Sequence, residues 1–261
     1  MYKKITLLAV LIGAFGVLMV YSASQVWAEY KQGNEYYYLI RQSIFYLLGI
    51  IVFLFFSKIK TIYYYKYANY IFSVAILLLI LVLIPGIGIV RGGARSWIGL
   101  SAFSIQPSEI SKIAVIIIVA KYLSINYKKT TEFKYMIIPL LIVGLVFGLI
   151  MLEPDFGTGA IIVLTILSMI CISGIKRQYY YLGIIGGVIG AVVLILSAPY
   201  RLDRIFAFLH PFDDPLGGGF QIIQSLYAIA PAGLFGMGLF NSKQKYFYLP
   251  EPQTDTSHKT W

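Results

Sequence analysis

Charge is scarce in this chain: 12% of its 261 residues are charged against 59% hydrophobic, and only 11 acidic residues stand against 21 basic ones. No single globular core of this length hides so much apolar surface, so the composition excludes a water-soluble domain. Cysteine is almost absent. A lone Cys171 rules out an intrachain disulfide and a thiolate metal centre. The two histidines, His210 and His258, have no metal-ligand spacing, and no nucleotide loop, serine triad or zinc motif occurs. Low-complexity tracts and internal repeats are also missing. The net charge of +10 does not indicate nucleic acid, because the basic residues are spread between apolar stretches instead of gathered on one polar face.

What fills the chain is long apolar runs, at 5–21, 43–56, 71–86, 110–122, 136–152, 160–172 and 180–198. Several approach the roughly 20 residues that a helical membrane crossing requires, and the shorter ones can recruit their flanks. Hydrocarbon leaves unpaired amides and carbonyls too costly to expose, so spans are helices or closed barrels, and runs without period-two alternation exclude the barrel. The expected fold is an all-α polytopic membrane protein with about seven transmembrane helices. A cytoplasmic N-terminus puts Lys3, Lys4, Lys58, Lys60, Lys66, Lys121, Lys128, Lys129, Lys134, Lys176 and Arg177 on the inner side. Only Lys31, Arg41, Arg91 and Arg95 then fall in the first three outer connections, and this asymmetry is the positive-inside signature. Tyrosines cluster at span ends (36–38, 63–65, 179–181), where a ring with one polar end suits the headgroup layer. Lys3 and Lys4 before an apolar run, with Ser22-Ala23-Ser24 behind it, resemble a signal peptide. The run exceeds the roughly 7 to 15 residues of such a peptide, so a retained first span is expected.

The domain division expected is 1–198 as a seven-span region and 199–261 as an extracytoplasmic loop with re-entrant or surface helices, since 220–240 is apolar but broken by Pro231, Gly233, Gly236 and Gly238. Chemistry must then sit in the outer connections, at 22–41, 87–106 and the turn Glu153-Pro154-Asp155. Gln106-Pro107-Ser108-Glu109 opens the fourth span, with proline in the first turn and a carboxylate at the positive end of the helix dipole. Glu109 and Lys112, three apart, share a face; they are either a structural ion pair or the lining of a ligand path. Arg91-Gly92-Gly93-Ala94-Arg95-Ser96-Trp97 either anchors an interfacial loop or grips an anionic headgroup or diphosphate. The carboxylates beside Pro154 are either solvated or position a cation or sugar.

Taken together and in order, these segments carry a family resemblance. They are Val20-Tyr21-Ser22-Ala23-Ser24, Arg95-Ser96-Trp97-Ile98 with Ser104-Ile105-Gln106-Pro107-Ser108-Glu109, Pro154-Asp155-Phe156-Gly157-Thr158, Asp214-Pro215 with Gly219-Phe220-Gln221-Ile222-Ile223-Gln224-Ser225, and Gln244-Lys245, Leu249-Pro250-Glu251 and Thr254-Asp255. The chain resembles the SEDS family of bacterial shape, elongation, division and sporulation proteins. That resemblance implies a peptidoglycan glycosyltransferase polymerising lipid II, an undecaprenyl-diphosphate-linked disaccharide peptide. It would act at the outer face of the cytoplasmic membrane of a bacterium, beside a class B penicillin-binding transpeptidase and among membrane lipids. It implies Asp255 as the catalytic base with Glu251 in support. Arg95 and Lys112 would hold the diphosphate, directly or beside a divalent ion such as Mg or Mn, whose identity is left open. Trp97, Gln106 and Glu109 would shape the cavity, and Asp155, Gln221, Gln224 and Lys245 complete the expected substrate-binding set. Relatives have about ten spans, and the chain departs from them after Asp255, reading Thr256-Ser257-His258-Lys259-Thr260-Trp261, so it is expected to be C-terminally truncated. A lipid II flippase and a non-catalytic scaffold for the transpeptidase are the rival functions.

Overall fold

A computed structural model describes residues 2–91, 94–100, 103–129, 132–231 and 238. Every one of the seven apolar runs is a helix: α1 (Tyr2–Gln32), α2 (Tyr37–Ser57), α3 (Thr61–Leu83), α4 (Pro107–Ile125), α5 (Lys134–Leu152), α6 (Phe156–Ile172) and α7 (Arg177–Leu196). Two shorter helices follow, α8 (Pro199–Leu209) and α9 (Phe220–Ile229). Among the described residues, α1, α2, α3, α5 and α7 are long and apolar enough to cross a membrane. The molecule is an all-α polytopic membrane protein.

Two boundaries differ from the sequence expectation. α1 does not stop near Tyr21 but runs unbroken to Gln32, so most of the expected first outer loop is helix. Ser22, Ala23 and Ser24 are buried within it, and the Ser24 hydroxyl donates to the Val20 carbonyl at 2.6 Å. A serine bonded to its own preceding turn costs the helix no exposed polar group, so the small polar triplet does not end the span. The second connection carries a three-stranded antiparallel sheet that no period-two pattern announced: β1 (Gly88–Arg91), β2 (Ala94–Leu100) and β3 (Phe103–Ile105), in that order.

The chain divides into two compact units, Lys60–Val193 and Met1–Ile59 with Leu194–Trp261. In the first, α3 to α6 pack around Leu79, Val115, Val119, Val143, Val146, Ile150, Ile162, Ile166 and Ile170. The three α6 residues are four apart and form one stripe, as a 3.6-residue helix requires. Lipid gives apolar helices no reason to leave it, so close van der Waals packing holds them together. Ala68, Ala75 and Ala114, all fully buried, supply the small side chains that permit close approach. β2 rests on the ends of α3 and α4.

In the second unit α1 packs on α2. Gly13 lets the Tyr46 ring cross α1, where a Cβ at Gly13 would sit 2.5 Å from the ring. The Tyr46 hydroxyl donates to the Val10 carbonyl. Gly16, one turn on, faces open space. Gly13→Ala is expected to lower stability by roughly 1–3 kcal/mol through overpacking, whereas Gly16→Ala is neutral or gains up to about 1 kcal/mol of helix propensity. Thermal unfolding of both variants in detergent checks the contrast.

Candidate functional site

The candidate site is assembled where the second and third connections meet. Pairing of β1 with β2 runs Gly88 to Ile98 and Ile89 to Trp97, then slips to Val90 with Arg95 and Arg91 with Ala94. Ser96 is the residue passed over. A bulge of this kind leaves one residue without a cross-strand partner and re-aims its side chain. Ser96 is accordingly buried, and its hydroxyl donates to the Glu153 carbonyl at 3.3 Å. β2 is thereby tied to the end of α5.

Arg95 and Trp97 flank the bulge and part company. The Arg95 guanidinium turns toward the end of α3, where Nη1 donates to the Leu83 carbonyl at 3.4 Å. Terminal helix carbonyls lack partners of their own and carry partial negative charge, so a cation is favoured there. Gly88 makes room for it, since a Cβ there would lie 2.7 Å from Arg95 Cγ and closer still to the Val82 carbonyl. Arg95 Nε is buried without an acceptor. Trp97 is half-buried and takes the guanidinium of Arg91 over its ring at 5.0 Å, so Arg91, the first residue of the Arg91–Trp97 segment, sits with the site although it stood outside the expected substrate-binding set.

Gln106 and Asp155, which the sequence separates by 49 positions, are in direct contact: the Gln106 amide donates to Asp155 Oδ2 at 3.1 Å. The other carboxylate oxygen accepts the Thr158 backbone N–H at 3.1 Å, making Asp155 the N-cap of α6, a role worth about 0.5–2 kcal/mol. Glu109 and Lys112 pair at 2.8 Å, Glu109 largely exposed and Lys112 a quarter exposed. Ser108, fully buried beside them in α4, has a hydroxyl with no partner. Gln221 and Gln224 share a face of α9 in the other unit. Lys245, Glu251 and Asp255 lie outside the described residues. Among the described residues, no three His, Cys, Asp or Glu side chains gather, so this part of the site offers an Mg or Mn ion no ready-made ligand set.

The group that sequence reasoning undervalued is Glu153. It caps the end of α5, just past the span, and is fully buried, with neither carboxyl oxygen in a hydrogen bond of good geometry. Burial pushes its pKa from 4.5 to about 7, against a downward pull from Ser96 and with a lesser upward push from the nearby Asp155 charge. The two carboxyls of one turn thus differ: Asp155 is hydrogen-bonded through both oxygens, while Glu153 is buried and keeps its proton to near neutrality. The available signal was a carboxylate placed directly after Met151-Leu152, with no polar spacer between it and the span.

Comparison with known proteins adds to this geometry. A family model described as cell cycle protein matches residues 2–256. The chain is 48% identical over 255 residues to stage V sporulation protein E of Bacillus subtilis, covering 96% of this chain and 69% of that one. It is 39% identical over 242 residues to the probable peptidoglycan glycosyltransferase FtsW of Francisella salina, covering 92% of this chain and 60% of that one. Among solved structures it is similar to a chain from a peptidoglycan synthase complex described as coordinating polymerization and crosslinking. There the TM-score is 0.65 and the identity 26%, over 85% of this chain and 64% of that one. The rod shape determining protein RodA of Thermus thermophilus shares the fold at a TM-score of 0.51 and 20% identity, over 94% and 93% of the two chains.

Glu153 makes stability depend on pH. Its folded pKa of about 7 exceeds the ordinary 4.5, so the folded chain holds the proton more tightly than the unfolded one. The resulting stabilisation is complete below the unfolded value and is lost as pH rises through about 7. Glu153→Gln is expected to flatten the melting temperature between about pH 5 and pH 8 and to gain up to roughly 3 kcal/mol over the parent on the alkaline side. Parallel melts of the two proteins across that range provide the check.

Proposed function

This chain belongs to the FtsW/RodA/SpoVE family of cell cycle proteins, and from that membership we propose that it is a peptidoglycan glycosyltransferase polymerising lipid II during cell division or sporulation. A role in peptidoglycan synthesis is the broader part of that statement, and the names of its relatives support it. The observation that carries the reading is the Gln106 to Asp155 hydrogen bond, which unites two of the family-like segments at one end of the α3–α6 bundle. The working location is the bacterial plasma membrane with the N-terminus in the cytoplasm, and the partner is a class B penicillin-binding transpeptidase.

In the proposed reaction the 4-hydroxyl of one glycan unit attacks the anomeric carbon of another. Asp255, supported by Glu251, takes the hydroxyl proton as the new C–O bond forms. The bond to the lipid diphosphate breaks, and the diphosphate departs with the electron pair. Arg95 and Lys112 stabilise it. Arg95 brings its guanidinium charge to this end of the bundle, tied at Nη1 to the Leu83 carbonyl, and a cation so placed favours an oxyanion. Among the described residues Lys112 is held by Glu109 in a partly exposed pair, and such pairs are worth about 0–1 kcal/mol, so a multiply charged diphosphate can draw the ammonium away. Trp97, Gln106 and Glu109 shape the cavity, with Asp155, Gln221, Gln224 and Lys245 contacting substrate.

Incubating the purified chain, with its transpeptidase partner, with lipid II tests the proposal. Glycan polymer is expected from the parent. Asp255→Ala should lower the rate by about 10²- to 10⁴-fold, the range for losing a general base. Full activity in that variant sinks the base assignment. Transbilayer movement of lipid II without polymer identifies a flippase instead, and partner binding with neither activity identifies a scaffold. Removing Lys112 as Lys112→Ala is expected to slow polymerisation by about 10-fold or more while leaving the melting temperature within about 2 °C of the parent, because the pair it breaks is partly exposed and worth about 0–1 kcal/mol. Rate and melt measured on the same preparation separate the two effects.

A further inference from the structure

α8 has a two-sided composition that the proposed chemistry does not use. Leu202, Ile205, Phe206 and Leu209 fall at i, i+3, i+4 and i+7, one edge of a helix. Asp203, Arg204 and Ala207 lie on the opposite side, at about 100° per residue. Asp203 and Arg204 are exposed, as polar residues should be, and Ala207 is half-buried. The turn formed by residues 211–219 packs against Ala207, with a Cβ at Gly218 only 3.3 Å from the Ala207 methyl. The apolar edge is left bare, with Phe206 and Leu209 each 59% exposed and Phe208 and Phe212 exposed beside them.

What covers that edge follows from where α8 begins. α7 is long and apolar enough to cross a membrane and ends at Leu196; α8 starts at Pro199. Two intervening residues reach no more than about 10 Å, so the first turn of α8 emerges within the headgroup layer. Arg201 prevents it from standing off, because its guanidinium donates back to the Leu194 carbonyl of α7. The guanidinium groups of Arg201 and Arg204 lie over the Tyr200 ring at 5.2 and 6.0 Å. Tyrosine with arginine at the end of a span is the chemistry that anchors chains at the membrane interface.

We propose that α8 is an interfacial helix lying in the bilayer surface at the end of α7, its Leu202–Ile205–Phe206–Leu209 edge on phospholipid acyl chains and Arg204 at their phosphates. The inference is independent of the glycosyltransferase reading. It would hold the connection after α7 flat on the membrane, at the height where a lipid-linked headgroup is presented.

The test uses the full chain carrying Cys171→Ser, reconstituted in nanodiscs of phosphatidylcholine and phosphatidylglycerol, with an environment-sensitive fluorophore on Phe206→Cys, Leu209→Cys or Asp203→Cys. Lipids bearing a nitroxide high on the acyl chain should quench positions 206 and 209 at least about threefold more than 203, because only the apolar edge is sunk into the acyl boundary. Equal quenching at all three positions overturns the proposal. Shielding of 206 and 209 from both the lipid nitroxide and an aqueous quencher also overturns it, since protein then covers the edge. Arg204→Gln leaves the apolar edge intact and should lower the quenching at 209; no change removes the phosphate contact. Labelled chains are compared only where their melting temperatures match the parent's.

Discussion

The hydrocarbon of a bilayer donates and accepts no hydrogen bonds, and the organisation of this chain depends on that constraint. Each span must satisfy its own backbone, so the apolar runs are helices, and polar structure is displaced to the connections between them. It also explains why the α3–α6 bundle is joined by stripes of aliphatic residues and alanines instead of by charge. Hydrophobic burial contributes little between helices already solvated by hydrocarbon, and contact distance decides. Polar tethers appear where the bundle ends: Ser96 on the Glu153 carbonyl, Arg95 on the Leu83 carbonyl, and Gln106 on Asp155.

Those tethers make one small polar layer in which charge is rationed by environment. Asp155 accepts from two hydrogen-bond donors, and Glu153, two residues earlier, is a buried acid that keeps its proton until near neutral pH. Arg95 donates one nitrogen to a helix end and holds another buried without an acceptor, while Lys112 is tied to Glu109 in a partly exposed pair. In the proposed reaction this layer supplies the cations that a departing diphosphate requires.

α8 extends the same logic beyond the bundle. Its apolar edge would be a liability in water, and at the end of a spanning helix it becomes an anchor. Chemistry on a lipid-linked substrate is helped by any element that fixes the height of the surrounding chain above the membrane, since reacting groups must meet within about an ångström of their productive positions.

The amino-acid order alone determined the solvent, the seven helices and their family, because apolar run length and composition are properties that no folding event can change. It also located Gln106, Asp155, Glu109 and Lys112 as polar residues at span ends, and the Glu109 to Lys112 pair follows from helical spacing alone. It did not reveal that α1 continues through Ser22–Ser24, since a serine that bonds its own helix looks in sequence like one that ends it. Nor did it reveal the sheet, where a bulge at Ser96 breaks the alternation by which strands are recognised. Only tertiary structure decided that Arg95 faces a helix end, that Gln106 meets Asp155, and that Glu153 is fully buried. Hydrogen-bond partners and burial depend on which distant segments are brought together, and that information is absent from any local window of the chain.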